Sequence, residues 1–341
     1  MLKVLSLLIL LWMLVPQVSY AAVGTKVDGV SYENPGAQLW RDVRQRDTEI
    51  QGSTQIKGMD SNVWMNVTGE AWRQYRMLNL IPKAGIAILL TLAIAILFRL
   101  IRGTVKLQAG RAGKKILRFT FNQRMAHWSS AILFVLLSLT GIILLFGRST
   151  LIPLIGAESF SYIAATAKTL HDYLGPAFAV SMILLFILFV KGNQLALKND
   201  LNWILKGGGM FGKHASADRY NAGEKGWFWL ATLVGAVIIV SGLVLDFPIF
   251  QQNRVGMEFY HLLHTIAATT MIVASLGHIY MGTVGLEGTL EVMKTGYCDV
   301  NWAKEHHDLW YQKVADTAVD ESELEQKTGV KTTPKSSNAT V

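Results

Sequence analysis

Residues 259–283 read FYHLLHTIAATTMIVASLGHIYMGT, an apolar stretch of 25 residues that contains no charged side chain. Such a stretch is long enough for a tilted transmembrane helix. Its histidines His264 and His278 are fourteen residues apart, which on a helix is roughly 21 Å along the axis and within about 40° of the same face. One helix therefore presents two imidazoles to one side, one toward each membrane surface. Imidazoles inside a bilayer are costly, so they usually have a partner or a function.

The composition agrees with a membrane protein. The chain has 341 residues, of which 51% are hydrophobic and only 16% are charged, whereas soluble domains are nearer 25% charged. Its single cysteine, Cys298, excludes an iron–sulfur cluster, an internal disulfide and a thiolate zinc site built by this chain alone. There is no C-x-x-C-H motif for covalent c-type haem. Metal chemistry in this chain must therefore rest on histidine.

Five apolar stretches predict five transmembrane helices, at 83–101, 126–147, 170–191, 227–247 and 259–283. The loops 99–125 and 191–226 are rich in lysine and arginine, whereas 148–169 and 248–258 hold few. The positive-inside rule makes the two basic loops cytoplasmic. The basic residues behind the net charge of +8 therefore indicate how the chain is oriented in the membrane, and they predict no nucleic-acid partner. We expect a multi-pass protein of the bacterial inner membrane with a periplasmic N-terminus and a cytoplasmic C-terminus.

The regions outside these stretches complete the predicted organisation. Residues 1–21 have the pattern of a secretory signal peptide, with an uncleaved membrane anchor as the alternative. Residues 22–82 are predicted to be an extracytoplasmic segment lying on a partner protein, 83–102 an extra transmembrane helix, and 103–123 a basic cytoplasmic loop. Residues 124–300 form the predicted core. Residues 301–341 are a predicted cytoplasmic tail, with an amphipathic helix at its start and disorder past Asp320.

The predicted topology pairs four histidines by depth. His127 opens the second stretch at the cytoplasmic surface, and His171 opens the third at the outer surface. His171 is therefore level with His264, and His127 with His278. Two stacked histidine pairs predict two b haems, each with imidazoles at both axial positions, so that the iron lacks an open site and only transfers electrons. The predicted fold is an all-α membrane protein, a dihaem four-helix transmembrane bundle plus one extra N-terminal transmembrane helix.

Other readings of the histidines stay open at this stage. His261 precedes His264 by one turn and would sit about 4.5 Å higher, which makes it the rival ligand. A haem-free transporter or anchor could use intramembrane histidines for protons, and it would be expected to contain inverted repeats. His214, His306 and His307 lie in predicted loops or the tail, where solvent exposure is expected.

The chain resembles the cytochrome b556 (gamma) subunits of membrane-bound respiratory formate dehydrogenases over about residues 115–312. The matching elements are Arg124-Met125-Ala126-His127-Trp128, Leu170-His171-Asp172-Tyr173-Leu174-Gly175, Tyr220-Asn221-Ala222-Gly223-Glu224-Lys225, Leu263-His264, His278-Ile279-Tyr280-Met281 and Trp302…His306-His307…Trp310-Tyr311. Compact members of that family begin near residue 110 of this chain. The signal peptide, the outer segment and the first span are therefore additions.

The resemblance implies a function and further site residues. It implies the same two haem pairs and a site for menaquinone, or another quinone, near the inner haem, formed by Asn221, Gly223 and His278. It also implies two partners, an iron–sulfur (beta) subunit and a catalytic (alpha) subunit with a molybdenum or tungsten pterin that oxidises formate. This chain would pass the electrons to the quinone. The alternative within the same class is the dihaem cytochrome b subunit of a hydrogenase or a sulfur-compound reductase.

Overall fold

The computed structural model describes residues 67–209, 214–247, 249 and 252–328, and these are mostly helical. The predicted signal peptide, the segment 22–66 and the residues from 329 onward lie outside the described residues. The helices are α1 Val67–Tyr75, α2 Ile81–Arg102, α3 Phe121–Thr150, α4 Ile152–Ile155, α5 Ala157–Phe189, α6 Leu197–Leu205, α7 Ala222–Asp246, α8 Arg254–Tyr280, α9 Thr289–Thr295, α10 Val300–His306, α11 Asp308–Val314 and α12 Glu321–Thr328. The strands are β1 Lys114–Leu117, β2 Tyr297–Asp299 and β3 Val319–Asp320.

Five of these helical segments are long and apolar enough to cross a membrane, as the sequence predicted. They span Ala71–Arg102, Phe121–Thr150, Ala157–Phe189, Ala222–Asp246 and Arg254–Gly285. Many large apolar side chains on them are exposed, including Leu100 and Ile101 at 77% each. A soluble protein would not leave such surfaces in water, so the chain is a multi-pass membrane protein.

Long helices that follow one another in the chain, from α3 to α8, pack side by side in the bundle. Helix α3 packs along α5, α5 packs against α7, α7 packs along α8, and α2 lies against α8. Helices α3 and α8, which carry His127 and His278, are not among the closely packed pairs of the described chain. The His127 and His278 rings face each other between these two helices.

The first span begins earlier than the predicted boundary at residue 83. Helix α1 continues through a π-helical turn, Arg76–Leu80, directly into α2. Hydropathy left this part out because Arg73 and Arg76 interrupt the apolar run, whereas the backbone hydrogen bonding of the helix continues past such residues. Part of the predicted extracytoplasmic segment is thus the start of the first long helix.

The predicted loop 148–169 is wrong over most of its length. Helix α5 begins at Ala157, directly after Gly156, whose φ of 81° ends the short helix α4. The stretch AESFSYIAATAKTL contains neither glycine nor proline and is rich in alanine, so it continues as helix although it is too polar for a hydropathy signal. His171 consequently lies in the middle of a 33-residue helix and does not open one.

A folded cap covers the end of the bundle that carries the basic loops, which we call the basic end. The strands form an antiparallel sheet in the order β2-β1-β3, with Ile116 opposite Cys298. Trp302, Trp310 and Val292 join a buried cluster that also includes Phe189 and Phe228 of the membrane helices. Cap and bundle therefore share one hydrophobic core.

The cap corrects the expectation that His306 and His307 are solvent-exposed. His307 is fully buried, and its Nδ1 donates a 2.7 Å hydrogen bond to the carbonyl oxygen of Asp218. Burial, followed by the nearby Arg118 guanidinium, lowers the pKa of His307 well below its usual 6.5. Burial likewise lowers the pKa of His306. Sequence patterns missed this because the tail folds back onto residues about 90 positions earlier.

Two further boundaries differ from the prediction. The basic segment 103–123 is no open loop, since β1 lies within it and Lys115 and Arg118 are buried. Lys115 pairs with Glu291, and Arg118 pairs with Glu224 at 3.0 Å. Disorder directly past Asp320 is also wrong, because residues 321–328 form α12, which follows the paired strand β3.

Candidate functional site

The His171 and His264 imidazoles face each other across α5 and α8. Their ring centroids are 6.2 Å apart and their planes are inclined by 76°. Both side chains are partly buried. His171 is the fifteenth residue of α5 and His264 the eleventh of α8, so this pair lies nearer the end of the bundle formed by residues 147–157 and 246–256, which we call the far end.

The His127 and His278 imidazoles form a second facing pair, at the basic end. Their ring centroids are also 6.2 Å apart, with planes inclined by 55°. His127 is seven residues into α3, and His278 is two residues before the end of α8. The chain therefore brings four of its predicted site residues together as two pairs, with the partners that equal depth predicted.

The spacing of each pair matches what one metal ion between two imidazoles requires. Metal–nitrogen bonds of about 2 Å on each side, with about 1.1 Å from ring nitrogen to ring centre, put the centroids about 6.3 Å apart. A direct hydrogen bond between the two rings would draw the centroids closer, and unrelated rings would show no common value. In the described part of the chain no three His, Cys, Asp or Glu side chains form a metal-ion cluster. A metal in these sites would be held by the histidine pairs.

At the far-end pair, neighbouring hydroxyls fix which ring nitrogen is free. Thr140 Oγ1 donates to the Leu136 and Leu137 carbonyls and lies 2.8 Å from His171 Nδ1, so it accepts the Nδ1 proton. Ser241 Oγ lies 3.1 Å from His264 Nδ1 in the same way. The proton is thereby held on Nδ1, and Nε2 is left as the metal-ligating nitrogen.

The basic-end pair is held by aromatic rings instead. The His278 imidazole stacks on the Trp227 indole, with centroids 4.3 Å and planes 10° apart. The His127 ring meets Trp128 edge-on at 5.4 Å, and its buried Nδ1 has no hydrogen-bond partner. The two pairs therefore have different surroundings, which would tune two bound groups differently.

Two glycines lie against the far-end histidines. A Cβ on Gly141 would come within 3.4 Å of His171 Cε1, and one on Gly242 within 3.2 Å of His264 Cε1. Near Gly277, just before His278, there is open space within 4 Å. Glycine at positions 141 and 242 therefore lets the two imidazoles lie directly against the backbones of α3 and α7.

The predicted quinone residues lie at the start of α7. Asn221 caps this helix: its Oδ1 accepts the Glu224 N–H at 2.9 Å, while the Glu224 carboxylate accepts the Asn221 N–H. Gly223 is exposed beside the Trp203 indole, which a Cβ would meet at 3.2 Å. Gly223 is also one turn from Trp227 on the same face, and Trp227 stacks on His278. Trp227 thus places His278 about one helical turn from Gly223.

A cavity of about 200 Å³ opens beside Asn221. Trp203, Asp200 and Lys225 also line it, and the last two form a 2.8 Å salt bridge. His278 and Gly223 are not among its lining residues. Of the three predicted quinone residues, the cavity therefore touches Asn221 alone.

The remaining histidines and the cysteine have other surroundings. His261, the rival ligand, meets Trp72 of α1 edge-on at 5.7 Å. His214 is exposed and lies 3.0 Å from Asp308. Burial raises the pKa of the Cys298 thiol to about 11, so it is a neutral packing group.

Comparison with known proteins identifies the family. Residues 118–296 match the prokaryotic cytochrome b561 family. The chain belongs to this family. Over 213 residues it is 30% identical to the formate dehydrogenase cytochrome b556(fdo) subunit of Escherichia coli K12, covering 61% of this chain and 97% of the relative. The nitrate-inducible cytochrome b556(Fdn) subunit of the same strain is 31% identical over 59% of this chain and 92% of the relative. The Haemophilus influenzae formate dehydrogenase cytochrome b556 subunit is 27% identical over 63% and 90%.

These relatives confirm the resemblance seen in the sequence, and membership of a cytochrome b family implies haem b. The matched region contains all four paired histidines together with Asn221 and Gly223. It excludes α1 and α2, which lie before residue 118.

Sequence reasoning missed several residues of the two sites. The sequence could have indicated Trp227 as a site residue, since it follows Gly223 by one helical turn on the same face. Thr140 and Ser241 had none, because intramembrane hydroxyls most often bond their own helix. Only the packing of α3 against α5 and of α7 against α8 brings these hydroxyls to the histidines.

Proposed function

We propose that this chain is the membrane electron-transfer subunit of a formate dehydrogenase. It would hold two b haems, one between His171 and His264 and one between His127 and His278. The observation that carries the proposal is the pair of facing imidazole couples with equal ring separations of 6.2 Å. A b haem held by both histidines of a pair would supply one-electron transfer.

The chain's own residues would orient and separate the two sites. Thr140 and Ser241 hold the Nδ1 protons of the far-end pair, so that Nε2 points at the metal. The stacked Trp227 keeps the His278 ring in one orientation. About fourteen residues of α8, roughly 21 Å, separate its two histidines, so electrons would cross most of the membrane within this subunit.

The quinone site would lie at the basic end, at the start of α7, and would take menaquinone or another quinone. The Oδ1 of Asn221 is used by the helix cap, whereas its Nδ2 group has no hydrogen-bond partner in the described residues. That amide can donate to a quinone carbonyl, while the Trp203 indole, which lines the same cavity, offers a flat apolar surface. The stacked His278 links this site to the nearer haem.

The orientation of the chain in the membrane decides where its partner subunits would bind. The basic end would be cytoplasmic by the positive-inside rule, with the far end toward the periplasm. An iron–sulfur subunit would deliver electrons at the far end from a molybdenum or tungsten pterin subunit that oxidises formate. The names of the relatives favour formate as the donor over hydrogen or a sulfur compound.

A visible difference spectrum of membranes containing the native complex tests this function. Membranes are reduced first by formate and then by dithionite, and protohaem is counted per chain. We expect two haems per chain, both reduced by formate. Two haems reduced by dithionite alone would indicate that the chain is instead a subunit of a hydrogenase or a sulfur-compound reductase. The absence of haem would refute the proposal and favour a proton-handling role for the histidines.

A further inference from the structure

Two nitrogen-bearing side chains at the far end have no partner for their buried atoms. The Arg76 Nε and the His261 Nδ1 are buried without a hydrogen bond. Arg148, exposed near the end of α3, is a second guanidinium within electrostatic reach of Arg76. Neither arginine forms a salt bridge within the described residues. Two like charges close to each other repel, and an anion bound between them would relieve that repulsion.

No far-end acid whose side chain the structure describes forms a salt bridge with either arginine, and this includes Glu158, which is exposed in the first turn of α5. Glu258 pairs with Arg254 at 3.0 Å. Asp172 pairs with Lys168 at 2.6 Å, and Asp246 lies 3.7 Å from the same lysine. Within the part of the chain that the structure describes, Arg76 and Arg148 are therefore positive charges without an acidic partner.

Arg76, Arg148 and His261, which we call the cluster, lie at the same end of the bundle as His264. Trp72 meets His261 edge-on, and Arg76 follows Trp72 by four residues, which puts it on the same side of the helix. His261 precedes His264 by three residues, one turn toward the far end. Arg76 also acts electrostatically on His261. Arg76 and His261 thus lie about one helical turn beyond His264, and Arg148 is the neighbour of Arg76 at the end of α3.

We propose that Arg76 and Arg148 bind the propionate carboxylates of the haem held by His171 and His264, an inference that rests on the proposed function. Haem b carries two such carboxylates, which in a bilayer need cations or water. They would extend toward the nearer membrane surface, which for this pair is the far end. Guanidinium groups suit carboxylates because they donate two parallel hydrogen bonds. His261 would stand beside this contact as a neighbour of the haem edge.

This inference gives a role to the N-terminal addition. Arg76 lies before residue 118, where the match to the cytochrome b561 family begins, and it is carried by the helical segment that packs against α8 through α2. The first long helix would then complete the far-end haem site as well as anchoring the chain. A positive charge at the propionates stabilises the reduced haem and raises its potential.

The test is a redox titration of both haems in the intact complex carrying Arg76→Gln or Arg148→Gln. The far-end haem is identified as the one lost in His171→Ala. We expect each variant to lower the reduction equilibrium constant of that haem about tenfold, which is about 59 mV for one electron. The other haem should be unchanged. Arg76→Lys should keep most of the potential, because it retains the charge.

Arg254→Gln is the matched control, since it removes an arginine at the same end that already has Glu258 as its partner. An equal drop in the far-end haem's potential in this control would mean that the effect comes from general surface charge, and it would overturn the assignment. Unchanged potentials in both test variants would overturn it as well. If these variants instead lose bound anionic phospholipid, measured as phosphorus per chain, the cluster is a lipid site and the inference fails. A wild-type complex without haem would refute the proposed function itself, which keeps the two failures distinct.

Discussion

The imidazole of His278 lies parallel to the indole of Trp227, with ring centroids 4.3 Å and ring planes 10° apart. This contact joins the basic-end histidine pair to the start of α7, where Asn221 and Gly223 lie. It couples the orientation of a proposed haem ligand to the proposed quinone site through a single side chain.

Replacement of Trp227 by leucine should disturb the basic-end haem alone. Aromatic pairs contribute about 0.5–1.5 kcal/mol beyond their area, so we expect a shift of roughly 20–65 mV in that haem's potential and altered electron paramagnetic resonance of its oxidised form. Trp229→Leu is the control, because that indole donates to the Asn193 carbonyl instead. Equal effects of the two substitutions would contradict a specific role for the stacking.

Loss of the Thr140 hydroxyl should change the far-end haem. An acceptor at Nδ1 makes a ligating imidazole more basic, which favours oxidised iron. Thr140→Val should therefore raise the far-end haem's potential by the value of one hydrogen bond, about 0.5–1.5 kcal/mol, as measured by redox titration. Thr270→Val controls for the substitution, since that hydroxyl bonds the Ile266 carbonyl on an exposed face. A lowered or unchanged potential would refute the hydrogen bond's proposed role.

The ligand assignment predicts which haem each histidine variant loses. His171→Ala and His264→Ala should each remove the same haem and leave about one per chain, because both imidazoles of the pair would bind the same iron. His127→Ala and His278→Ala should remove the other. Haem content and reduced-minus-oxidised spectra measure this. His261→Ala should retain both haems, and loss of one in this variant with retention in His264→Ala would make His261 the ligand.

Asn221 has two roles that a substitution can separate. Asn221→Ala removes both its amide and its helix cap, at a cost of about 1 kcal/mol. Asn221→Ser keeps an oxygen for the cap and loses the amide donor. In the serine variant, formate should still reduce both haems while quinone reduction slows at least tenfold. Quinone turnover at the wild-type rate would exclude Asn221 from the quinone site.

The buried His307 predicts a pH dependence of stability. Its folded pKa is well below 6.5 because of burial and Arg118, so below pH 6.5 the unfolded chain takes up a proton that the folded chain refuses. Stability therefore falls as the pH falls, by at most about 1.4 kcal/mol per pH unit for one group.

His307→Asn keeps an N–H for the Asp218 carbonyl and should lose less thermal stability between pH 7.5 and 5.5 than the wild type. His306 retains its own contribution, so part of the loss should remain. His214→Asn is the control: it removes an exposed histidine that lies beside Asp308, and it should not lessen the loss of stability. An identical pH dependence in His307→Asn and wild type would show that His307 does not contribute.

Much of the site could be predicted because membrane physics restricts it. Apolar length gave the five spans, and the depth of each histidine gave the pairs that face one another. The outer loop could not be predicted, since residues 157–169 are too polar for a hydropathy signal and yet continue α5. The burial of His307 was missed because it depends on Asp218 and Arg118, which are distant in sequence.

The amino-acid sequence by itself determined that the chain is a helical membrane protein with two histidines on one face of its last span, because hydrophobic length and helical periodicity are local properties. Only the tertiary structure decided what surrounds those histidines. Thr140 reaches His171, Trp227 reaches His278 and Arg76 reaches the neighbourhood of His261 through contacts between helices. Such contacts depend on how the helices rotate and pack against one another, which no local pattern encodes.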